Sequence, residues 1–427
     1  MKSIDDIAAA LQGYDPQALS VNQVGDFLAQ LVQPVPGDES QDVYLFDALG
    51  RILAQDVISP ISVPAHNNSA MDGFAFDASQ LLANQPLTLR VVGTALAGKA
   101  WQGKVNAGEC LKVMTGAILP DGLDTVVPQE LVQIASAHDI TSITLPANLV
   151  KAGDNRRLAG EDLMQGQTAL KAGQRLTPAA LGLIASLGLP DVRVHRRLRV
   201  AYFSTGDEVL SLGDAPREGA VYDSNRFTVF GLLTRLGCEV IDMGVVRDDP
   251  ALLEAAFAQA ARESDAIITS GGVSVGEADF TKAMMKKLGD VAFWKIAMRP
   301  GRPMAVGRIG KSVLFGLPGN PVAVMVTFLA FVRPALLRMM GSTTQPLPML
   351  RAKCMEPLRK KAGRTEYQRG YVDSAPDGTL QVRTTGNQGS GVLNSMVQGN
   401  GLIVLHHTQG HVAIGDEVDV MMFEGAI

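Results

Sequence analysis

Residues 265–282 read DAIITSGGVSVGEADFTK, an apolar stretch, then a loop with Gly271, Gly272 and Gly276 beside Glu277 and Asp279, then helix-like patterning. Glycines let backbone N–H groups approach an anion, and neighbouring carboxylates can hold a divalent cation that the anion shares. The first reading is therefore a phosphate-bearing ligand with a metal. Working outward, RVAYFST, a helix from about Ser224 to Arg235, EVIDMGVV, PALLEAAFAQAARES and DAIITS alternate strand and helix. That rhythm predicts a parallel sheet whose strand C-termini share one ligand-binding edge.

At 427 residues the chain is expected to hold about two to four folding units. Apolar residues make up 46% and charged residues 19%, and a net charge of -5 argues against a nucleic-acid-coating protein. Three widely spaced cysteines, Cys110, Cys238 and Cys354, predict a reducing compartment and no disulfide framework. The N-terminus has no signal-like core, and VAVMVTFLAFV at 322–332 is too short to span a bilayer. The expectation is a cytoplasmic protein with no membrane contact.

Four units are expected. Residues 1–64 and 151–198 form a linking unit with helical and extended pieces, including a helix that Pro178 starts and Gly188 ends. Residues 65–150 alternate in short runs and read as β-rich, 199–342 as the α/β unit, and 343–427 as a small β-barrel or sandwich. The fold class is thus α/β plus β, multidomain.

Three loops at strand ends carry chemistry: STGDEV at 204–209, VVRDDP at 245–250 and the glycine loop. Sharing one edge, they bring Asp207, Glu208, Asp248 and Asp279 together for Mg²⁺ beside phosphates; the alternative is that Asp207 and Asp248 only cap helices and turns. FWKIAMRPGRP places Lys295, Arg299 and Arg302 as cations for a multiply anionic ligand, or as surface ion pairs. RIGKS at 308–312 lacks the early glycine of a phosphate-binding P-loop and reads as a hairpin, and no G-x-G-x-x-G follows the first strand. HHTQGH at 406–411 reads as turn chemistry rather than a metal site, and NNSAMDGFA and MTGAILPDGLDTVVPQE read as ligand rim or simple turns.

Taken in order, GRILAQDVISP, NNSAMDGFA, MTGAILPDGLDTVV, AGEDL, STGDEV, YDSNRFTVFGLL, SGGVSVGEADFTK, RPGRPMAVG, GLPGNPVAV and TTGNQGSGVLNSM resemble the molybdopterin molybdenumtransferase family, related to the E domain of gephyrin. The resemblance covers nearly the whole chain. It implies insertion of molybdate into adenylylated molybdopterin, with Mg²⁺-dependent release of AMP and finished cofactor. It also implies an elongated homodimer whose site pairs the α/β unit of one subunit with the early β unit of the other. Transient contacts with the adenylyltransferase and with cofactor-receiving molybdoenzymes follow.

The resemblance assigns functional roles to Asp72, Thr115, Asp162, Glu208, Asp248, Asp279, Lys295, Arg299, Arg369 and Ser390, with Glu208, Asp248 and Asp279 at the metal. Substrate would meet Ser204, Thr205, Gly206 and Asp207, then Ser270, Gly271, Gly272, Ser274 and Gly276, and then Pro300, Gly301, Arg302, Pro318, Gly319 and Asn320. Two departures stand out: Arg299 replaces the second lysine of the family's K-x-x-x-K-P-G run, and Leu158 and Ala159 occupy positions where the family is richer in arginine. The competing functions are ATP-dependent molybdopterin adenylylation, which shares a loop like SGGVS, and a non-catalytic scaffold of the gephyrin type.

Overall fold

Helix and strand signals in the α/β segment are realised at their capping residues. Asp223 caps Ser224–Leu236 by accepting from the N–H of Arg226, and Gly237, at φ 93°, closes that helix in the left-handed conformation. Asp249 caps Pro250–Glu263, with proline in the first turn. In this computed structural model, residues 3–35, 39–273, 280–343, 346 and 348–423 are described.

The central sheet has the order Glu239–Val246, Arg199–Thr205, Ala266–Ser270, Ser312–Leu317, Pro303–Ile309, Gly289–Lys295. The first four strands are parallel, so Thr205, Val246, Ser270 and Leu317 end at one edge. Pro303–Ile309 alone runs antiparallel to both its neighbours, Ser312–Leu317 and Gly289–Lys295, as the hairpin reading of RIGKS requires. The reason is local: Ile309 pairs with Ser312 across Gly310 and Lys311, and a two-residue connection can only join antiparallel neighbours. RIGKS is that hairpin.

One sheet face packs on Ser224–Leu236, on the helix beginning at Pro321, and on the N-terminal helices Ile4–Ala10 and Val21–Leu31. Phe27 meets Trp294 edge to face at 4.8 Å, and the Lys295 N–H donates to Pro16 at 2.8 Å. The opposite face packs on Pro250–Glu263 and Phe280–Leu288. The apolar run at 322–332 belongs to a 19-residue helix, Pro321–Met339, long and apolar enough to cross a membrane by length and composition; here it is a core helix, 67% buried. Its middle, Phe328–Val332, is a π-helix, where Arg333 N–H donates to Phe328. Pro334 lacks the N–H that an α-helix would aim at Ala330, and the wider turn absorbs the gap.

The segment after Pro64 builds a six-stranded sheet ordered Thr125–Pro128, Gly73–Phe76, Glu109–Val113, Leu87–Ala95, Ile140–Leu145, Gln133–Ala137. The chain on either side of it is joined: Ser40–Tyr44 pairs with Asp191–His195 and Val57–Ile58 with Thr168–Leu170, over a small core containing Leu176, Ile184 and Val194. In the C-terminal region Thr365–Ser374 pairs with both Leu380–Thr384 and Gly401–Leu405, closing five strands into a barrel. The barrel is tied to the α/β unit where Met298–Arg299 pairs with Thr365 and Glu366.

Candidate functional site

At the shared edge of the parallel strands the backbone is crowded in a way only glycine permits. Gly271 has φ 90°, and a Cβ there would lie 2.5 Å from the Thr205 carbonyl; a Cβ on Gly272, at φ 63°, would lie 2.5 Å from Thr281. Gly319 stands directly beside Gly271, so two loops contribute bare backbone to one spot. Beneath them Tyr202 hydrogen-bonds Ser204 at 2.8 Å and Ser270 at 2.6 Å, and burial pushes the Tyr202 phenol up. Ser204 and Ser270 are therefore buried ties between strand ends, while Thr205 donates to the Ser270 carbonyl at 3.5 Å.

The acidic loops do converge in part. The N–H of Asp248 donates to Asp207 Oδ1 at 3.3 Å, and the helix cap is Asp249, so Asp248 does not serve as the cap. The Glu208 carboxylate lies over Gly206, within 2.6 Å of where a Cβ would be. Asn320 caps Pro321–Thr327 by backbone geometry alone, without a side-chain hydrogen bond. Ser274, Gly276 and Asp279 lie outside the described residues. Among the described residues no group of three His, Cys, Asp or Glu side chains is placed to hold a metal ion. His406 of HHTQGH instead meets Asp419 at 2.7 Å.

The cations gather where the barrel meets the α/β unit. Arg299 precedes a cis proline, Pro300, and Gly301, at φ 92°, packs so closely on Thr327 that a Cβ would come within 2.5 Å. The Arg302 carbonyl accepts from Ile296 at 2.7 Å, and its side chain is exposed. Arg369 is 1% exposed; its Nε donates to Ser395 Oγ at 2.9 Å and its Nη2 to the carbonyls of Gly389 at 2.9 Å and Asn387 at 3.2 Å. Among the described residues no carboxylate pairs with it, and burial, with Arg299 nearby, holds it down to about 10. The Ser390 carbonyl accepts from Val322 at 3.1 Å, docking this barrel loop on the start of the core helix. A cavity of about 250 Å³ opens here, lined by Arg299, Arg359, Arg369 and Gln388 and also by Glu356 and Glu366, the latter paired with Arg364 at 2.7 Å.

A second cluster sits on the β-rich unit. Thr115 donates its N–H and its hydroxyl to Asp72 Oδ1 at 2.7 and 2.8 Å, and these bonds hold the Asp72 carboxyl below the usual range. Asn67 accepts from Ala159, Arg156 pairs with Ser69, and the Asp162 N–H donates to Val63, so residues 67–72, 115 and 155–162 form one rim. Among the described residues, no hydrogen bond or ion pair of Asp72, Thr115 or Asp162 reaches the glycine loops.

Sequence reasoning gave no role to Gln388, whose side chain accepts from the N–H of Arg369 at 2.8 Å and donates to its carbonyl at 3.1 Å. It also gave none to Asp223 and Asn225, although Asp-x-Asn opening a helix beside a glycine loop was a usable signal. Asn225 Nδ2 donates to the Gly319 carbonyl at 2.7 Å.

Fold and site together define a multidomain protein with a glycine-crowded strand edge on an α/β domain and an arginine- and glutamate-lined cavity at its junction with a barrel. Residues 19–188 match the MoeA N-terminal region (domain I and II), residues 201–338 the probable molybdopterin binding domain, and residues 351–423 the MoeA C-terminal region (domain IV). The chain is 42% identical to the molybdopterin molybdenumtransferase of Haemophilus influenzae, over 90% of this chain and 94% of that one. It is 33% identical to the molybdopterin molybdenumtransferase of Nostoc sp. PCC 7120, over 96% and 95%. A crystal structure of the molybdopterin biosynthesis moeA protein from Pyrococcus horikoshii OT3 superposes with a TM-score of 0.80 at 25% identity, covering 95% of this chain and all of that one. The chain belongs to the molybdopterin molybdenumtransferase family, enzymes of molybdenum cofactor biosynthesis.

Proposed function

We propose that this chain inserts molybdate into adenylylated molybdopterin and releases AMP, with Mg²⁺ required. The observation that carries the reading is the buried guanidinium of Arg369, which makes no ion pair among the described residues, beside Arg299 on one cavity. A buried cation without an ionic partner is costly, and an oxyanion in the cavity supplies the missing charge. The glycine backbone at 271, 272 and 319 suits the phosphate end of the same substrate.

Glu208 and Asp248 carry oxygen donors suited to Mg²⁺, and the sequence offers Asp279, outside the described residues, as a third carboxylate. When bound there, the cation neutralises charge on the phosphoryl oxygens. Lys295 and Arg299 add to that neutralisation, so cleavage of the phosphoanhydride needs no covalent enzyme intermediate. We further propose a cytoplasmic homodimer in which Asp72 and Thr115 complete the partner's site. Exposed apolar side chains such as Phe46, 86% exposed beside Tyr44, support a protein interface. Transient contacts with the adenylylating enzyme and with cofactor-receiving enzymes belong to the same reading.

Purified protein given adenylylated molybdopterin, molybdate and Mg²⁺ tests it. AMP release that depends on molybdate is expected. ATP consumption would instead mark an adenylyltransferase, and neither reaction would leave a scaffold.

A further inference from the structure

Two buried acceptors next to the glycine loops have no donor among the described residues. Asp223 is 5% exposed and Asn225 9% exposed, and among the described residues neither Asp223 Oδ2 nor Asn225 Oδ1 has a hydrogen-bond partner. Their other atoms are committed: Asp223 Oδ1 caps Arg226, and Asn225 Nδ2 is held by Gly319, the residue that faces Gly271. Asp223 is anchored by its own N–H to Leu210, just past the STGDEV loop, and its charge acts on Tyr202, the hydroxyl that joins Ser204 to Ser270. Both side chains therefore stand under the same ligand edge.

An acceptor buried without a donor is unfavourable, so the pair is built for something that brings donors. The Arg226 guanidinium forks onto Asp242 and does not fill the role. A phosphate offers only acceptors to a carboxylate and is repelled. A divalent cation needs about six oxygens, and no third metal-ligating side chain joins these two among the described residues.

We infer that Asp223 and Asn225 read a neighbouring pair of hydrogen-bond donors on the substrate, either the ribose cis-diol or the amino and ring N–H edge of the pterin. The inference rests on the proposed substrate. It makes Asp223 and Asn225 specificity residues, distinct from the carboxylates placed at the metal.

Calorimetric titration without molybdate or Mg²⁺ tests it with two ligand pairs: AMP against 2′,3′-dideoxy-AMP, and pterin-6-carboxylate against its 2-oxo counterpart. Wild type should favour the donor-bearing member of one pair by roughly tenfold or more, and which pair it is identifies the source. Asp223→Asn keeps a competent helix cap and should bring that ratio close to one, leaving the affinity for the donor-poor member unchanged. Asn225→Ala provides the same reading should Asp223→Asn fail to fold. Equal affinities within both pairs for wild type, an unchanged ratio in the variants, or a loss shared by both members would overturn the inference. Binding of neither AMP nor pterin would count against the substrate reading itself, whereas binding without discrimination counts against this pair alone.

Discussion

Thr115 donates both its backbone N–H and its hydroxyl to one oxygen of the exposed Asp72 carboxylate. Both bonds favour the charged form, so Asp72 stays an acceptor throughout the neutral range. Thr115→Val removes the hydroxyl donor, and the Asp72 pKa should rise toward its ordinary value, read by carboxyl-carbon NMR titration. The sign extends to stability: a carboxyl lowered in the folded state stabilises above its unfolded pKa, and that contribution fades as pH falls through the folded value. Thr115→Val should weaken this acid dependence. An Asp72 titration identical to wild type would show that the hydroxyl does not act on it.

A site shared between subunits makes a quantitative prediction. Asp72→Ala and Asp279→Ala chains should each fail to release AMP alone and regain activity when mixed. Random exchange makes about half the dimers mixed, each with one intact site of two, so recovery should approach roughly a quarter of wild type. No recovery after demonstrated exchange would place both residues in one chain's site.

Arg299 and Arg369 should separate in their effects. Arg299 is exposed beside the cavity, so Arg299→Ala should raise the molybdate KM with little change in stability, and Arg299→Lys should keep substantial activity. Arg369 also holds the carbonyls of Asn387 and Gly389, so Arg369→Met should raise KM and destabilise by about 2 kcal/mol or more in denaturant unfolding. Equal stability loss in both would mean that the cavity is a folding feature, not a binding one.

Glycine substitutions offer a control for the cleft. Gly271→Ala forces a side chain into a left-handed position and against the Thr205 carbonyl, and should cost about 1–2 kcal/mol in strain and abolish AMP binding. Gly391→Ala has open space and an ordinary φ, and should leave both melting temperature and AMP binding near wild type. Retained AMP binding in Gly271→Ala would remove the glycine corner from the ligand site.

Local chemistry made much of this protein readable from its sequence. Alternation of strand and helix, the helix start at Pro178, the two-residue turn at Gly310 and the bare backbone at Gly271 and Gly272 all depend on residues near one another in the chain, and all were legible there. The resemblance of ordered motifs pointed to the family. Tertiary structure alone decided the rest, because it required contacts between distant residues. The β texture of 343–427 was legible as a barrel or sandwich, and the choice of a closed barrel depends on one strand, Thr365–Ser374, finding two partners. The same holds for Arg369, which reads as a basic residue in a strand until packing buries it among the carbonyls of residues 387 and 389. Asp223 and Asn225 read as a helix start, and only the approach of Gly319 across the sheet fixes the Asn225 amide and leaves two acceptors waiting for donors.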